Sequence, residues 1–360
     1  MNNVIYSVII GTGSYIPHRM IENEDFMSNE FYDEDGKPIK KANREIVEKF
    51  EEITTIKKRR YVTENMLTSD IAYYAAIKAV ASAKINIEEL DYIIVAHNFG
   101  DTHSRSKQRD TVPSIAARVK HKLEIKNPNT VAYDILFGCP GWLQAVIQSN
   151  YFIRSGDSAR ILVIGAEVLS TVTDSHDRNS MLFADGAGAV VLERKESEYP
   201  VGIIGSKTRS DTFSHLKMLY MGESSKFTIN SQNETFIKMN GRKLYQYALL
   251  NVPNTIKECL DKNNIHLRDI KKVLIHQANG KMDDAILKRL FDLYNIKDIP
   301  KDIMPMTISW LGNSSVATIP TLLDLIEKGQ LPPHKINSGD TVVLASVGAG
   351  MSINVVIYKK

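Results

Sequence analysis

Short β-rich apolar runs alternate along the chain with longer stretches in which apolar residues recur at helical spacing. MNNVIYSVIIGTG opens the series, and DYIIV (91–95), TVAYDI (130–135), ILVI (161–164), AGAVVLER (187–194), KKVLI (271–275), TVVL (341–344) and MSINVVIYKK (351–360) continue it. Between them GWLQAVIQSNYFIRSG places Leu143, Val146, Ile147 and Tyr151 on one helical face and ends at Gly156. Such alternation predicts α/β layers with parallel sheet, because a crossover helix returns the chain to start the next parallel strand.

The pattern also recurs within the chain. IKAVASAKINIEELDYIIV (77–95) resembles IKECLDKNNIHLRDIKKVLI (256–275), each a helix, a short turn and a buried strand. An offset of 180 relates Ile93-Ile94-Val95 to Val273-Leu274-Ile275, and the same offset relates Ile161–Ile164 to Thr341–Leu344. A final strand follows each block, so two similar βα halves are expected, residues 1–200 and 201–360, joined through the charged, proline-containing KESEYP. FYDEDGKPIKKANREIVEKF (31–50) and THSRSKQRD (102–110) interrupt the plan and are polar enough to be expected on the surface. The basic run Lys57-Lys58-Arg59-Arg60, without interleaved aromatics, is read as a solvated face and not as a nucleic-acid contact.

Composition narrows the field further. A chain of 360 residues with net charge +3, 43% apolar and 24% charged residues falls near the averages for globular proteins and carries no acidic or basic arm. The opening segment reaches glycine too early to read as a signal peptide, and no stretch approaches the roughly 18 apolar residues of a membrane span. Cys139 and Cys259 form neither a disulfide framework nor a CxxC site, which suits a reducing cytoplasm. Nine scattered histidines show no metal-ligand cluster, and Gly11-Thr12-Gly13 lacks the later glycine of a dinucleotide fingerprint.

Candidate chemistry gathers at element ends. TVAYDILFGCPGW reads as a buried strand and a Gly-Cys-Pro-Gly turn opening a helix, with Pro140 in the first helical turn. Cys139 thus lies at a helix start, where the positive end of the dipole favours the nucleophilic thiolate. Cys259, inside the amphipathic TIKECLDKN, reads as structural. KKVLIHQANGKMDDAI delivers His276 at a strand end, and SWLGNSSVATIPTLLDLI carries Asn313 on a loop before a helix. Alone, each reads as a local hydrogen-bonding residue. Together with Cys139 they supply a nucleophile, a titratable imidazole and a neutral amide donor.

DILFGCPGW, SGDSARILVIGAEVLS, HDRNSMLFADGAGAVVLE, LIHQAN, GNSSVATIPTLLD and SVGAGMS stand in the order and spacing of the β-ketoacyl-acyl-carrier-protein synthase III family, and across the whole length the chain resembles that family. The resemblance implies a thiolase-like five-layered fold of two duplicated halves and a decarboxylative condensation of two acyl thioesters in fatty acid biosynthesis. It assigns acyl acceptance to Cys139, malonyl decarboxylation to His276 and Asn313, and an oxyanion hole to the main-chain N–H groups of Cys139 and Ala349. Substrates would arrive on coenzyme A or phosphopantetheine, with no permanently bound cofactor and no metal. Arg178 would lie near a coenzyme A phosphate or carrier arm, and Gly241, Ala278 and Asn279 would line the pantetheine channel. Arg242 and Lys281 would dock an acidic acyl carrier protein. Family members act as homodimers, and Val112 matches a position that closes the acyl channel across the dimer interface.

Two departures stand out. Lys49 and Ile53 occupy the positions of an aromatic and an arginine that sandwich the coenzyme A adenine in short-primer members, and CPGW, with Trp142, would reshape the acyl channel. A specialised synthase for a lipid, pigment or polyketide therefore remains an alternative. The order Cys, His, Asn also describes a papain-like protease, but the CGSCW-type signature is missing and the duplicated pattern does not suit that fold.

Overall fold

The computed structural model describes residues 4–103, 108–227 and 234–360. A five-stranded sheet joins β1 (Val4–Tyr15), β2 (Tyr92–Ala96), β3 (Val131–Ile135), β4 (Arg160–Val168) and β5 (Asp185–Ser197) in the order β1-β5-β4-β2-β3. A four-stranded sheet joins β6 (Gly202–Ser210), β7 (Ile270–Ile275), β8 (Thr341–Gly348) and β9 (Ser352–Lys359) in the order β6-β9-β8-β7. The helices that matter for the site are α1 (Asn43–Thr54), α2 (Thr68–Ala83), α3 (Ile115–Lys122), α4 (Gly141–Ser155), α5 (Gly241–Lys262), α6 (Gly280–Asp292) and α7 (Thr318–Glu327).

The apolar runs are continuous because both faces of each sheet are covered. Leu162 and Ile164 of β4 face α2 and α3, while Ile161 and Val163 face α4 and α7. In β8, Val343 and Ala345 face α5 and α6, whereas Val342 and Leu344 join the same α4–α7 layer. The result is five layers: helices, sheet, shared helices, sheet, helices.

The sheets are mixed and not purely parallel. β2 runs parallel to β3 and β4, and β7 parallel to β8, but β5 and β9 are antiparallel to their neighbours. Only Ala349–Met351 separates β8 from β9, too short a link for the crossover a parallel strand requires. The internal repeat is also adjusted. Ile93 pairs with Leu162 and Val273 with Val343, so Leu162 corresponds to Val343, an offset of 181 in this block. Keeping 180 would turn every side chain of β8 to the wrong face.

Two expected surface segments are partly interior. Within residues 31–50, Phe31, Ile46 and Val47 are buried with Ile21, Phe26 and Met181. The polar residues of α1 face water, while its apolar stripe covers this cluster. In the basic run, Arg59 is 0% exposed. Its guanidinium donates to Met181 O at 3.0 Å and Asn23 Oδ1 at 2.7 Å and lies 4.9 Å from the Phe26 ring centroid. Burial pulls its pKa down to about 10. Of the other predicted surface segment, residues 104–107 lie outside the described residues. Among the described residues no helix is long and apolar enough to cross a membrane.

Candidate active site

Three chain segments meet where the two sheets present their strand ends. After β3 the chain turns through Gly138, at φ +62°, into Cys139 and Pro140, and Pro140 occupies the N-cap of α4, one place earlier than a first-turn residue. A Cβ added to Gly138 would stand 2.8 Å from Ala349 N, and one on Gly348 would stand 2.5 Å from Cys139 N. Glycine at both positions is what lets the two turns touch, and it sets the amides of Cys139 and Ala349 side by side.

β7 delivers His276, whose N–H donates to Ala345 O at 2.8 Å. Gln277 fixes the turn that follows: its Nε2 donates to Pro305 O at 2.8 Å, and its Oε1 accepts from Thr307 N at 2.8 Å and Ile308 N at 3.0 Å. Asn279 then caps α6 by accepting from Met282 N at 3.1 Å. Asn313 is clamped to the other half of the chain. Its N–H donates to Leu182 O at 2.9 Å and its carbonyl accepts from Ala184 N at 2.8 Å. Gly165 in β4 admits this loop, since a Cβ there would lie 2.4 Å from Val316 O.

The side chains converge. Asn313 Oδ1 accepts from Ser315 N at 2.8 Å and lies 2.9 Å from His276 Nε2. The Ser315 bond identifies this atom as the amide oxygen, which can only accept, so Nε2 carries a hydrogen. Burial opposes ionisation of the Cys139 thiol, but the His276 charge and hydrogen bonds from His276 and Ser315 outweigh it and hold the thiol below its ordinary range. Burial likewise disfavours imidazolium, yet Cys139 and Asn313 draw the His276 pKa up to about 9. Cys139 and His276 thus favour a thiolate–imidazolium pair.

Cys139 stands between two cavities. The larger, about 1740 Å³, opens to the surface and is lined on one side by Ile46, Phe50 and Ile53, and at its floor by His276 and Asn313. Arg178, Gly241, Arg242, Ala278 and Asn279 line it too, with Arg178 and Arg242 exposed. Lys49 and Ile53 also border it, so the positions that depart from the short-primer pattern lie on the entry route. The smaller cavity, about 540 Å³, lies beyond Cys139 against Phe99, Leu169, Leu219, Tyr220, Met221 and Ile237.

Other expected residues lie elsewhere. Trp142 is 1% exposed and packs in the shared helical layer, lining neither cavity, so it does not shape an acyl channel. As the second residue of α4 its ring turns toward the facing sheet and helix. Val112 is 83% exposed and borders neither cavity of its own chain. Lys281 borders neither, and its Nζ lies 3.7 Å from a Glu52 carboxylate oxygen. Sequence reasoning missed Ser315, which holds both Asn313 and Cys139; the only trace of it was the polar GNSS stretch before an apolar helix. Among the described residues no group of three or more His, Cys, Asp or Glu is placed to hold a metal ion.

The chain is similar to known proteins over nearly its whole length. Residues 133–212 match the family model of 3-oxoacyl-[acyl-carrier-protein (ACP)] synthase III, and residues 260–360 match that of its C-terminal region. A β-ketoacyl-[acyl-carrier-protein] synthase III of Wolbachia pipientis wMel is 34% identical over 348 residues, 96% of each chain. Among solved structures, 3-oxoacyl-[acyl-carrier-protein] synthase III from Aquifex aeolicus VF5 is similar with a TM-score of 0.78 and 29% identity, covering 98% of this chain and 100% of that one. The synthase III of Thermus thermophilus gives 0.80 and 28%, covering 98% and 99%.

Proposed function

Because the chain belongs to the β-ketoacyl-acyl-carrier-protein synthase III family, we propose that Cys139, His276 and Asn313 carry out the family's condensation. The enzyme is an acyltransferase of fatty acid biosynthesis with a thiolase-like fold. It works on acyl-coenzyme A and acyl-carrier thioesters and needs no resident cofactor.

The Cys139 thiolate attacks the acyl thioester carbon and the departing thiolate is protonated from solvent, while His276, no longer facing a thiolate, gives its extra proton to solvent and keeps Nε2–H. Malonyl thioester then enters the larger cavity. As its C–CO₂ bond breaks, the electron pair passes into an enolate whose oxygen receives hydrogen bonds from His276 Nε2–H and Asn313 Nδ2–H. The enolate carbon attacks the acyl-Cys carbonyl. The oxyanion so formed is held by the N–H groups of Cys139 and Ala349, at about 3–4 kcal/mol per donor, and its collapse expels the Cys139 thiolate. The observation that carries this reading is the placement of Cys139 at the junction of two cavities, with the His276–Asn313 pair on the entry side.

The same reading gives Arg178 the phosphate of the incoming arm, Gly241, Ala278 and Asn279 its pantetheine part, and Arg242 and Lys281 the acidic carrier protein. It includes a homodimer, in which Val112 faces the partner's acyl channel, a boundary between halves at about residue 200, and a reducing cytoplasm for the two free thiols. The apolar recess beyond Cys139 suits acyl groups longer than acetyl, each buried CH₂ adding up to about 0.8 kcal/mol. Lys49 and Ile53 at the mouth favour a second reading within the family, a specialised synthase primed from a carrier and not from coenzyme A. Specificity constants for acetyl through decanoyl donors, each as coenzyme A and carrier thioesters, test both. The expected optimum lies above acetyl, and an optimum at acetyl-coenzyme A would overturn the chain-length assignment and the carrier reading together.

A further inference from the structure

Asp283 lies on the first turn of α6, seven residues after His276, and is fully buried. Among the described residues neither of its carboxyl oxygens makes a well-formed hydrogen bond, and the main-chain N–H of Asn279 is the one donor that approaches them. Nδ1 of His276, also buried, has no hydrogen-bond partner among them. Buried polar atoms are nearly always satisfied, so unsatisfied groups on adjoining segments that act on one another electrostatically call for a joint explanation.

The charges around the pair decide which proton state fits. Asp283 feels His276 and, beside it on α6, Asp284; His276 feels Asp283 and, on its other side, Cys139. Burial drives the Asp283 carboxyl far above its ordinary range, Asp284 adds to this, and His276 opposes it without prevailing. The direction is toward the neutral acid, which has one O–H to donate and one carbonyl oxygen to accept. His276 uses Nε2–H toward Asn313, which leaves Nδ1 of the neutral ring as an acceptor. A donor thus lies within electrostatic reach of an acceptor that has no partner. A carboxylate can only accept, so it would hold Nδ1–H and leave Nε2 of the neutral ring bare, whereas an acid accepts from Nδ1–H in the imidazolium and donates to bare Nδ1 in the neutral ring.

We propose that Asp283 is a positioning residue, a buried carboxylic acid that hydrogen-bonds Nδ1 of His276 directly or across one water and holds the neutral imidazole in its Nε2–H form. The inference rests on the role given to His276 above. It adds a group behind the imidazole that decides which nitrogen faces the enolate.

The test compares Asp283→Asn, which keeps a donor and an acceptor of the same size, with Asp283→Leu, which keeps neither. Enzyme labelled with ¹⁵N-histidine and alkylated on Cys139 makes the ring neutral, and the His276→Ala spectrum identifies its resonances among the nine histidines. Wild type and Asp283→Asn should show the Nε2–H tautomer, and Asp283→Leu a mixture. Malonyl decarboxylation should fall about tenfold or more in Asp283→Leu and less than about threefold in Asp283→Asn, with acylation of Cys139 little changed in both. An Nδ1–H ring in wild type overturns the proposal without any variant. So does an unchanged tautomer in Asp283→Leu, or an Asp283→Asn as impaired as Asp283→Leu, which would mark a carboxylate role. Should His276→Ala leave decarboxylation intact, the functional reading fails, while the tautomer measurement still decides what Asp283 does.

Discussion

The two cysteines occupy opposite ends of helices. Cys139 precedes the first turn of α4, where unpaired N–H groups and His276 favour the anion, and its thiol is held below the ordinary range despite burial. Cys259 lies in the last turn of α5 among Val252, Ile256 and Leu260, and burial pushes its thiol up to about 11. One residue type, in one chain, becomes a nucleophile at one end of a helix and a core side chain at the other. The surroundings decide, and burial alone does not, because both thiols are substantially buried.

The largest contrast should come from removing each thiol. Cys139→Ser is expected to lower acyl transfer by about a thousandfold or more, and Cys259→Ser to stay within about twofold, in a single-turnover assay with labelled acyl donor. Next, His276→Ala and Asn313→Ala should each lower malonyl decarboxylation by about a hundredfold while acylation of Cys139 suffers less. Equal loss of both half-reactions would make His276 a base for the thiol and not a donor to the enolate.

Alkylation measures the contrast without turnover. Iodoacetamide should modify Cys139 at neutral pH with a rate midpoint below that of an ordinary thiol, whereas Cys259, 0% exposed and with its thiol pushed up, should resist as long as the protein stays folded, as peptide mass spectrometry can follow. The sign follows from the pair: a lowered thiol pKa means thiolate persists as pH falls, until the Cys139 thiol itself takes up a proton. His276→Ala should therefore move the Cys139 midpoint upward, toward the value that burial dictates. The smallest effect belongs to Lys281→Glu. Its ion pair with Glu52 is exposed on both sides, so the melting temperature should stay unchanged, while KM for the carrier thioester rises about two- to threefold.

Cys139, His276 and Asn313 were legible because each ends a recognisable run, and a strand-to-helix turn advertises itself through glycine, proline and the change of apolar period. Periodicity tells which side chains share a face, not which layer covers it. That is why a one-residue slip in β8 escaped the repeat, while Trp142 was read as a channel residue from its place in the CPGW turn, which does not tell which way the ring points. Arg59 was read as solvated because its partners, Asn23 and Met181, are remote in sequence. Asp283 was invisible for a related reason: in MDDAI two adjacent acids look alike, and only the fold buries one and leaves the other outside.

The shared helical layer has a consequence for how the protein can be divided. α4 comes from the first half of the chain and α7 from the second, and both lay apolar sides into one cluster with the two sheets. A fragment ending near residue 200 would keep the first sheet against α4 but uncover the side of this layer that meets Leu274, Leu322, Val342, Leu344 and Val356, at about 1.5–3 kcal/mol for each large side chain left in water. Neither half is then a stand-alone folding unit. Separately expressed pieces should aggregate or be degraded, whereas the two synthesised together should find each other through that layer, and restored acylation of Cys139 would report their reassembly.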